Sequence, residues 1–349
     1  MITRICKIDP NHIDESVING AGEIIKQGGL VAFPTETVYG LGGDAFNPLS
    51  SQKIYAAKGR PSDNPLIVHI ADSESLERVV KSIPNSAKEL MDAFWPGPLT
   101  LIFEKIDEVP KETTGGLNTV AVRMPSDPVA MQFIKASGGF VAAPSANLSG
   151  KPSPTNGKYV VQDMDGRIDM ILYGEDSRIG LESTIVDVTT DVPMILRPGY
   201  ITRDMLAYVV GDVAVDQTIL TNDSGIAPKA PGMKYRHYAP KGALTIVEGE
   251  TEAVVTYINN CLIKDKANGI NTGVIATDQT LSKYQADIVK SVGDAVDKSQ
   301  AAHRLFAILR AFDDESVDRI YSESFADDGL GVAVMNRLLK AAGHDLINV

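Results

Sequence analysis

Cysteine is nearly absent from this chain. Cys6 and Cys261 stand alone in 349 residues, too few and too far apart for a disulfide framework or a thiolate zinc site, and they read as incidental reduced thiols. Cations are in deficit as well, with 33 Lys and Arg against 45 Asp and Glu. The resulting formal net charge of -12 argues against a tight, sequence-independent grip on nucleic acid, which draws on many cationic contacts to phosphate. A local basic cleft is compatible with that total. No stretch approaches the roughly 20 apolar residues of a membrane span, and Met1 to Pro10 has no apolar core of signal-peptide length. A cytoplasmic protein without membrane association is therefore expected. No G-x-G-x-x-G opens a helix, which leaves a dinucleotide site unsupported. His12, His237, His303 and His344 are scattered without zinc-site spacing, so no protein-ligated metal is expected. Internal repeats and low-complexity tracts are missing too.

What the chain does have is 44% hydrophobic content and a length that favours two domains. Ile13, Val17, Ala21, Ile24 and Ile25 recur at helical spacing up to Gly28-Gly29, and the apolar strand Leu30 to Phe33 follows. Further strands are expected at Leu66 to Ile70, Leu99 to Phe103, Val120 to Arg123, Phe140 to Ala143, Thr184 to Val188 and Met194 to Arg197. Helices are expected near Ser51 to Ala57, Ser86 to Phe94 and Pro128 to Ala136. This alternation predicts an α/β or α+β sheet domain over residues 1–207. Between 208 and 241 the pattern weakens into polar and turn residues, the mark of a linker. Lys234-Tyr235-Arg236-His237-Tyr238 is oddly aromatic and cationic for a tether. Over 242–349 a second alternating unit is expected, a small open parallel sheet. Its strands are Ala243 to Val247, Thr272 to Ala276 and Val317 to Tyr321, and its helices Thr251 to Ile263, Gln300 to Phe312 and Gly331 to Ala342.

Two distant segments carry the chemistry, Lys58-Gly59-Arg60-Pro61-Ser62-Asp63-Asn64 and Ala143-Pro144-Ser145-Ala146-Asn147-Leu148-Ser149, each following an apolar run. An ammonium and a guanidinium two residues apart combine a point charge with a planar fork, which suits phosphate and carboxylate oxygens. Taken alone, the first segment also reads as a solvated cationic turn and the second as a plain Pro-Ser-Asn turn.

Seven strings in order resemble the threonylcarbamoyl-AMP synthase family across almost the whole chain. They are Phe33-Pro34-Thr35-Glu36-Thr37-Val38-Tyr39-Gly40-Leu41-Gly42, Lys58 to His69, Trp95-Pro96-Gly97-Pro98-Leu99-Thr100, Val120-Ala121-Val122-Arg123-Met124-Pro125, Ala143 to Ser149, Glu182-Ser183-Thr184 and Leu196-Arg197-Pro198-Gly199. The resemblance, to the two-domain form of the family in particular, implies a twisted mixed-sheet YrdC-like catalytic domain, a linker and a smaller Rossmann-like domain. It implies the reaction of L-threonine, bicarbonate and ATP to L-threonylcarbamoyl-AMP and pyrophosphate, a nucleotidyl transfer that needs Mg²⁺ with its ATP. Downstream threonylcarbamoyl-transfer proteins would move the product to the adenosine beside the tRNA anticodon, with tRNA itself contacted indirectly or weakly. Positioning and fixed positive charge suit both steps.

By the same resemblance, Lys58 and Arg60 are the catalytic pair on the triphosphate and the bicarbonate-derived carboxylate. Ser62, Asn64, Thr119, Ser145, Asn147, Ser153, Arg197 and Tyr235 complete the ATP site. Arg123 would take the threonine carboxylate, with Thr35, His69 and Ser183 as the remaining polar partners. His69 alone reads as a satisfied strand histidine, Thr35 as a turn cap and Ser183 as a loop end. Tyr235, Arg236 and His237 are expected in a lid over the cleft, against the alternative that these aromatics dock the two domains. Two readings from other classes are an RNA-binding module using the same cleft and a carbamoyl-transfer domain acting on a protein.

Overall fold

The computed structural model describes residues 1–219, 237–325 and 328–349. Two compact units share the chain, Met1–Ser149 with Ser153–Lys234, and Gly150–Pro152 with Tyr235–Val349.

The first unit opens with strand β1 (Arg4–Lys7), helix α1 (Glu15–Lys26), β2 (Val31–Phe33), β3 (Gly40–Asp44) and α2 (Pro48–Lys58). It continues through β4 (Ile67–Ile70), α3 (Asn85–Phe94), β5 (Leu99–Glu104), β6 (Thr119–Arg123), α4 (Pro128–Ala136) and β7 (Phe140–Ala143). Its last elements are α5 (Gly157–Met164), β8 (Met170–Tyr173), β9 (Thr184–Asp187), β10 (Met194–Arg197), α6 (Arg203–Val210) and β11 (Ala214–Val215). The strands form one mixed sheet in the order β1-β8-β2-β3-β7-β4-β6-β5-β9-β10-β11.

Strand alternation divides the apolar residues between two faces. Ala32, Leu41, Val68, Leu101 and Val122 enter one core, whereas Val31, Phe33 and Val141 enter another with Ile25 of α1 and Phe133 of α4. Helix α2 starts where the Asn47 side chain accepts from the Leu49 N–H and Pro48 occupies the first turn, and it stops at Gly59 with φ 63. That left-handed residue turns the chain away just after Lys58. At the start of α4, the Asp127 carboxylate accepts from the N–H groups of Val129 and Ala130.

Strand β3, Gly-Leu-Gly-Gly-Asp, is not expected from residue preferences, since glycine is depleted in strands. Packing explains it. A Cβ on Gly40 would lie 2.9 Å from the Phe33 ring, and one on Gly42 2.7 Å from a methyl of Val141. The neighbouring strands fill the volume that side chains on β3 would take. Strands β1, β8 and β11 and helices α5 and α6 were likewise not expected.

In the second unit, β12 (Ala243–Glu248), α7 (Thr251–Ala267), β13 (Thr272–Ala276) and β14 (Ile288–Ser291) come first. Helix α8 (Lys298–Asp314), β15 (Arg319–Glu323), α9 (Gly331–Ala342) and β16 (Leu346–Asn348) complete it. The sheet is parallel throughout, in the order β14-β13-β15-β12-β16. Strand β15 begins two residues later than expected, because the Val317 N–H still bonds the Phe312 carbonyl as the chain leaves α8. The half-buried edge strand β14 and the short β16 lack an apolar run and were not expected. The Gly150–Pro152 segment is held in this unit by Arg310 of α8, whose Nε and Nη2 donate to the Pro152 carbonyl at 2.9 and 2.6 Å.

Because Gly42 is closed in by Val141, Phe33 and Val31, Gly42→Ala is expected to destabilise the first unit by about 1–3 kcal/mol through overpacking. A lowered midpoint in denaturant unfolding checks this.

Candidate active site

Strands β4, β6 and β5 are neighbours, and their register sets His69 beside Arg123 and Arg123 beside Thr100. Directly paired residues share a face of the sheet, so these three polar side chains form a row. On the same face Ile67, Ile102, Ala121 and Ile185 make a small apolar cluster with Leu196. The row continues through the Ser183 hydroxyl, 2.7 Å from Thr100 Oγ1. Arg197, just past an irregularity in β10, donates from Nε to the Ser183 carbonyl and from Nη2 to its hydroxyl, both at 3.1 Å. Two buried guanidinium groups thus reach the site from neighbouring regions of one sheet.

Arg123 is only 4% exposed. Its Nε donates to the Gly97 carbonyl at 3.3 Å and its Nη1 to Thr37 Oγ1 at 2.8 Å, while Nη2 lies 2.8 Å from Glu36 Oε1. That last contact is off the line of a well-aligned hydrogen bond and acts chiefly through charge. The Thr35 hydroxyl donates to the Val38 carbonyl at 2.6 Å, which uses its only proton. Thr37 is therefore the donor in the 2.9 Å contact between the two threonine hydroxyls.

Charge follows from this packing. Burial alone would raise the Glu36 carboxyl, but the Arg123 guanidinium and backbone N–H groups outweigh it and hold the group below its ordinary value. Burial, reinforced by the Arg123 charge, lowers His69 to about 3, so its imidazole is neutral at physiological pH. Its Nδ1 lies 3.1 Å from the Ile67 carbonyl and carries the ring proton, leaving Nε2 as an acceptor. Asp127 is raised to about 6, mainly by burial and further by the Glu36 charge.

The second half of the site is built around Lys58. At the end of α2 its buried ammonium donates to the carbonyls of Ser145 and Asn147, each at 2.5 Å, and the Ser149 N–H returns to the Lys58 carbonyl at 2.9 Å. The Ser145 hydroxyl donates to Asn147 Oδ1 at 2.5 Å. Arg60 folds over its own turn, donating to the carbonyls of Asn64 and Pro65 at 3.3 and 3.1 Å. Ser62 is exposed on that turn, whereas Asn64 is buried with its Oδ1 unbonded among the described residues. Thr119 opens β6 at the opposite end from Arg123, on the side where the register with β4 leads back to the Asn64 turn. It does not join the Arg123 row.

Backbone bonds gather the loops. Tyr39 N–H donates to Pro154 O, Ala146 N–H to Tyr39 O, Ile179 N–H to Glu36 O and Gly180 N–H to Thr37 O. Ser153 Oγ donates to Glu182 Oε1 at 2.6 Å, and the Leu148 N–H donates to the buried carboxylate of Asp163. Tyr235 and Arg236 lie outside the described residues. His237 belongs to the second unit, with its ring 5.5 Å from that of Tyr238.

Glu36, Thr37, Thr100 and Glu182 are parts of this arrangement that the reading of the sequence did not single out as site residues. One signal was present: Glu36 is the only charged residue from Leu30 to Gly43, and a lone acid in such a run needs a partner when buried.

Comparisons with known proteins identify the family. The family model described as "Telomere recombination" matches residues 23–199, and that described as "Threonylcarbamoyl-AMP synthase, C-terminal domain" matches residues 201–343. The threonylcarbamoyl-AMP synthase of Bacillus subtilis is 48% identical over 328 residues, covering 94% of this chain and 93% of the relative. The crystal structure of Sua5 from Pyrococcus abyssi complexed with L-threonine superposes with TM-score 0.94 at 45% identity, covering 99% of this chain and 100% of that one. Escherichia coli YciO matches with TM-score 0.52 at 25% identity, covering 57% of this chain and 96% of that one. With both family models matched in order and relatives covered nearly end to end, this chain belongs to the threonylcarbamoyl-AMP synthase family.

Proposed function

We propose that this chain condenses L-threonine, bicarbonate and ATP into L-threonylcarbamoyl-AMP, releasing pyrophosphate and water. The observation that carries the reading is the buried row of His69, Arg123, Thr100 and Ser183, with Arg197 on the same serine. In this reading one guanidinium serves the amino-acid carboxylate and the other a nucleotide phosphate.

In this reading Arg123 takes the threonine carboxylate. Neutral His69 offers Nε2 as an acceptor to the threonine hydroxyl or amine. It acts as an orienting partner, since a ring protonated only near pH 3 donates no second proton at neutral pH. The amine forms a bond to the bicarbonate carbon as water leaves, and a carbamate oxygen then attacks the ATP α-phosphorus as pyrophosphate departs. Lys58 and Arg60 supply fixed charge to the phosphates and to the carboxylate derived from bicarbonate. Ser145, Asn147, Ser153 and Asn64 supply neutral polar contacts to the nucleotide. Mg²⁺ would enter as a companion of the ATP phosphates. The product is a mixed anhydride suited to a separate transfer protein acting on tRNA in the cytoplasm.

Pyrophosphate release is expected only when L-threonine and bicarbonate are both present. Equal release with either omitted would contradict the assignment. Lys58→Ala is expected to lower kcat by about 10²–10³-fold, in the range for loss of one preorganised charge-stabilising donor. Arg123→Ala is expected instead to raise the threonine KM about 10–100-fold. Steady-state titration of each substrate separates the two variants, and unchanged kinetics in both would return these cations to structural roles.

A further inference from the structure

The guanidinium of Arg123 has five N–H groups, and the protein directs only part of them. Nε is committed to Gly97 and one N–H of Nη1 to Thr37, which fixes the plane of the group. Glu36 approaches Nη2 from one side without aligning as a hydrogen-bond acceptor. Nη2 is buried without an aligned acceptor among the described residues, and an N–H left in that state calls for an oxygen such as a carboxylate supplies.

We propose that Glu36 is a positioning residue for substrate binding: it neutralises and orients Arg123 so that the guanidinium can take the carboxylate of L-threonine. The inference rests on the reading of the site given above. Glu36 is 4% exposed, and its backbone carbonyl is pinned by the Ile179 N–H, so the carboxylate has little freedom to leave the guanidinium. It remains ionised at neutral pH because Arg123 and nearby N–H groups offset its burial. The pair is therefore net neutral, and His69 beside it is uncharged. A zwitterionic amino acid adds no net charge to such a pocket, whereas an anion without an amine adds an uncompensated one. Stability alone is a weak reason for the pair, since an apolar replacement of the same volume is often as stable or more so.

The test is calorimetric titration of L-threonine into the full chain, with ATP titrated separately. Glu36→Gln keeps the shape and removes the charge. It is expected to weaken L-threonine about tenfold or more, to leave ATP affinity within about twofold, and to leave a cooperative thermal transition. Glu36→Asp, which keeps the charge at a longer reach, is expected to fall between wild type and Glu36→Gln. In an Arg123→Ala background, Glu36→Gln is expected to cost nothing further, because a residue acting through Arg123 has nothing left to position. Wild-type threonine affinity in Glu36→Gln, equal losses for threonine and ATP, or additive losses in the double variant would overturn the positioning role while leaving the threonine site standing. Absence of threonine binding by the unaltered chain would overturn the reading of the site and this inference together.

Discussion

The ammonium of Lys58 ties together parts of the chain that lie almost ninety residues apart. A lysine at a helix end ordinarily reaches into water, but this one is 3% exposed and sits between the carbonyls of Ser145 and Asn147. The α2 terminus and the loop after β7 are thereby held as one piece. That loop in turn receives the Pro34–Gly40 segment through the bond from Ala146 N–H to the Tyr39 carbonyl. The same segment carries Glu36 and Thr37, which set Arg123. In a chain of net charge -12, three cations, Lys58, Arg123 and Arg197, are nonetheless buried in the first unit. Buried cations need compensation, and the oxygen atoms that supply it shape the loops.

Both halves of the site hold a buried cation in a fixed place, which suits the proposed chemistry. Arg123 is matched by a full carboxylate and stands beside a neutral imidazole, an environment for a zwitterion. Lys58 donates to carbonyl and amide oxygens of the loop after β7, which fixes its ammonium in place. Ser183 touches both Thr100 and Arg197, so the row beside Arg123 and the second buried guanidinium share one polar bridge. An amine that must reach bicarbonate, and a carbamate that must reach phosphorus, gain chiefly from such fixed placement.

Much of this was legible in the residues. The apolar runs of β2, β4 to β7, β9 and β10, and the helices between them, follow from periodicity, as does the open parallel sheet of the second unit. The motif strings also pointed to Lys58, Arg123, Ser145 and Arg197 as a set. Strand β3 was illegible for a physical reason: its glycines are there to admit Phe33 and Val141, a tertiary demand that overrides strand preference. Glu36 was quoted within a motif but given no part, because its meaning depends on a partner 87 positions away that only the sheet register brings near. Thr100 was hidden likewise, since a threonine in an apolar strand ordinarily reads as strand-forming and here bridges to Ser183. Ser62 shows the converse, a motif residue that the structure leaves exposed on its turn.

The central claim is that one chain joins amine, bicarbonate and adenylate in a single site. It is tested most directly by supplying ¹³C-bicarbonate with L-threonine and ATP and identifying the adenylate product by mass spectrometry. The account predicts threonylcarbamoyl-AMP carrying the label in its carbamoyl carbon, formed in step with pyrophosphate. Pyrophosphate release with an unlabelled adenylate, or with threonyl-AMP in place of the carbamoyl compound, would contradict it.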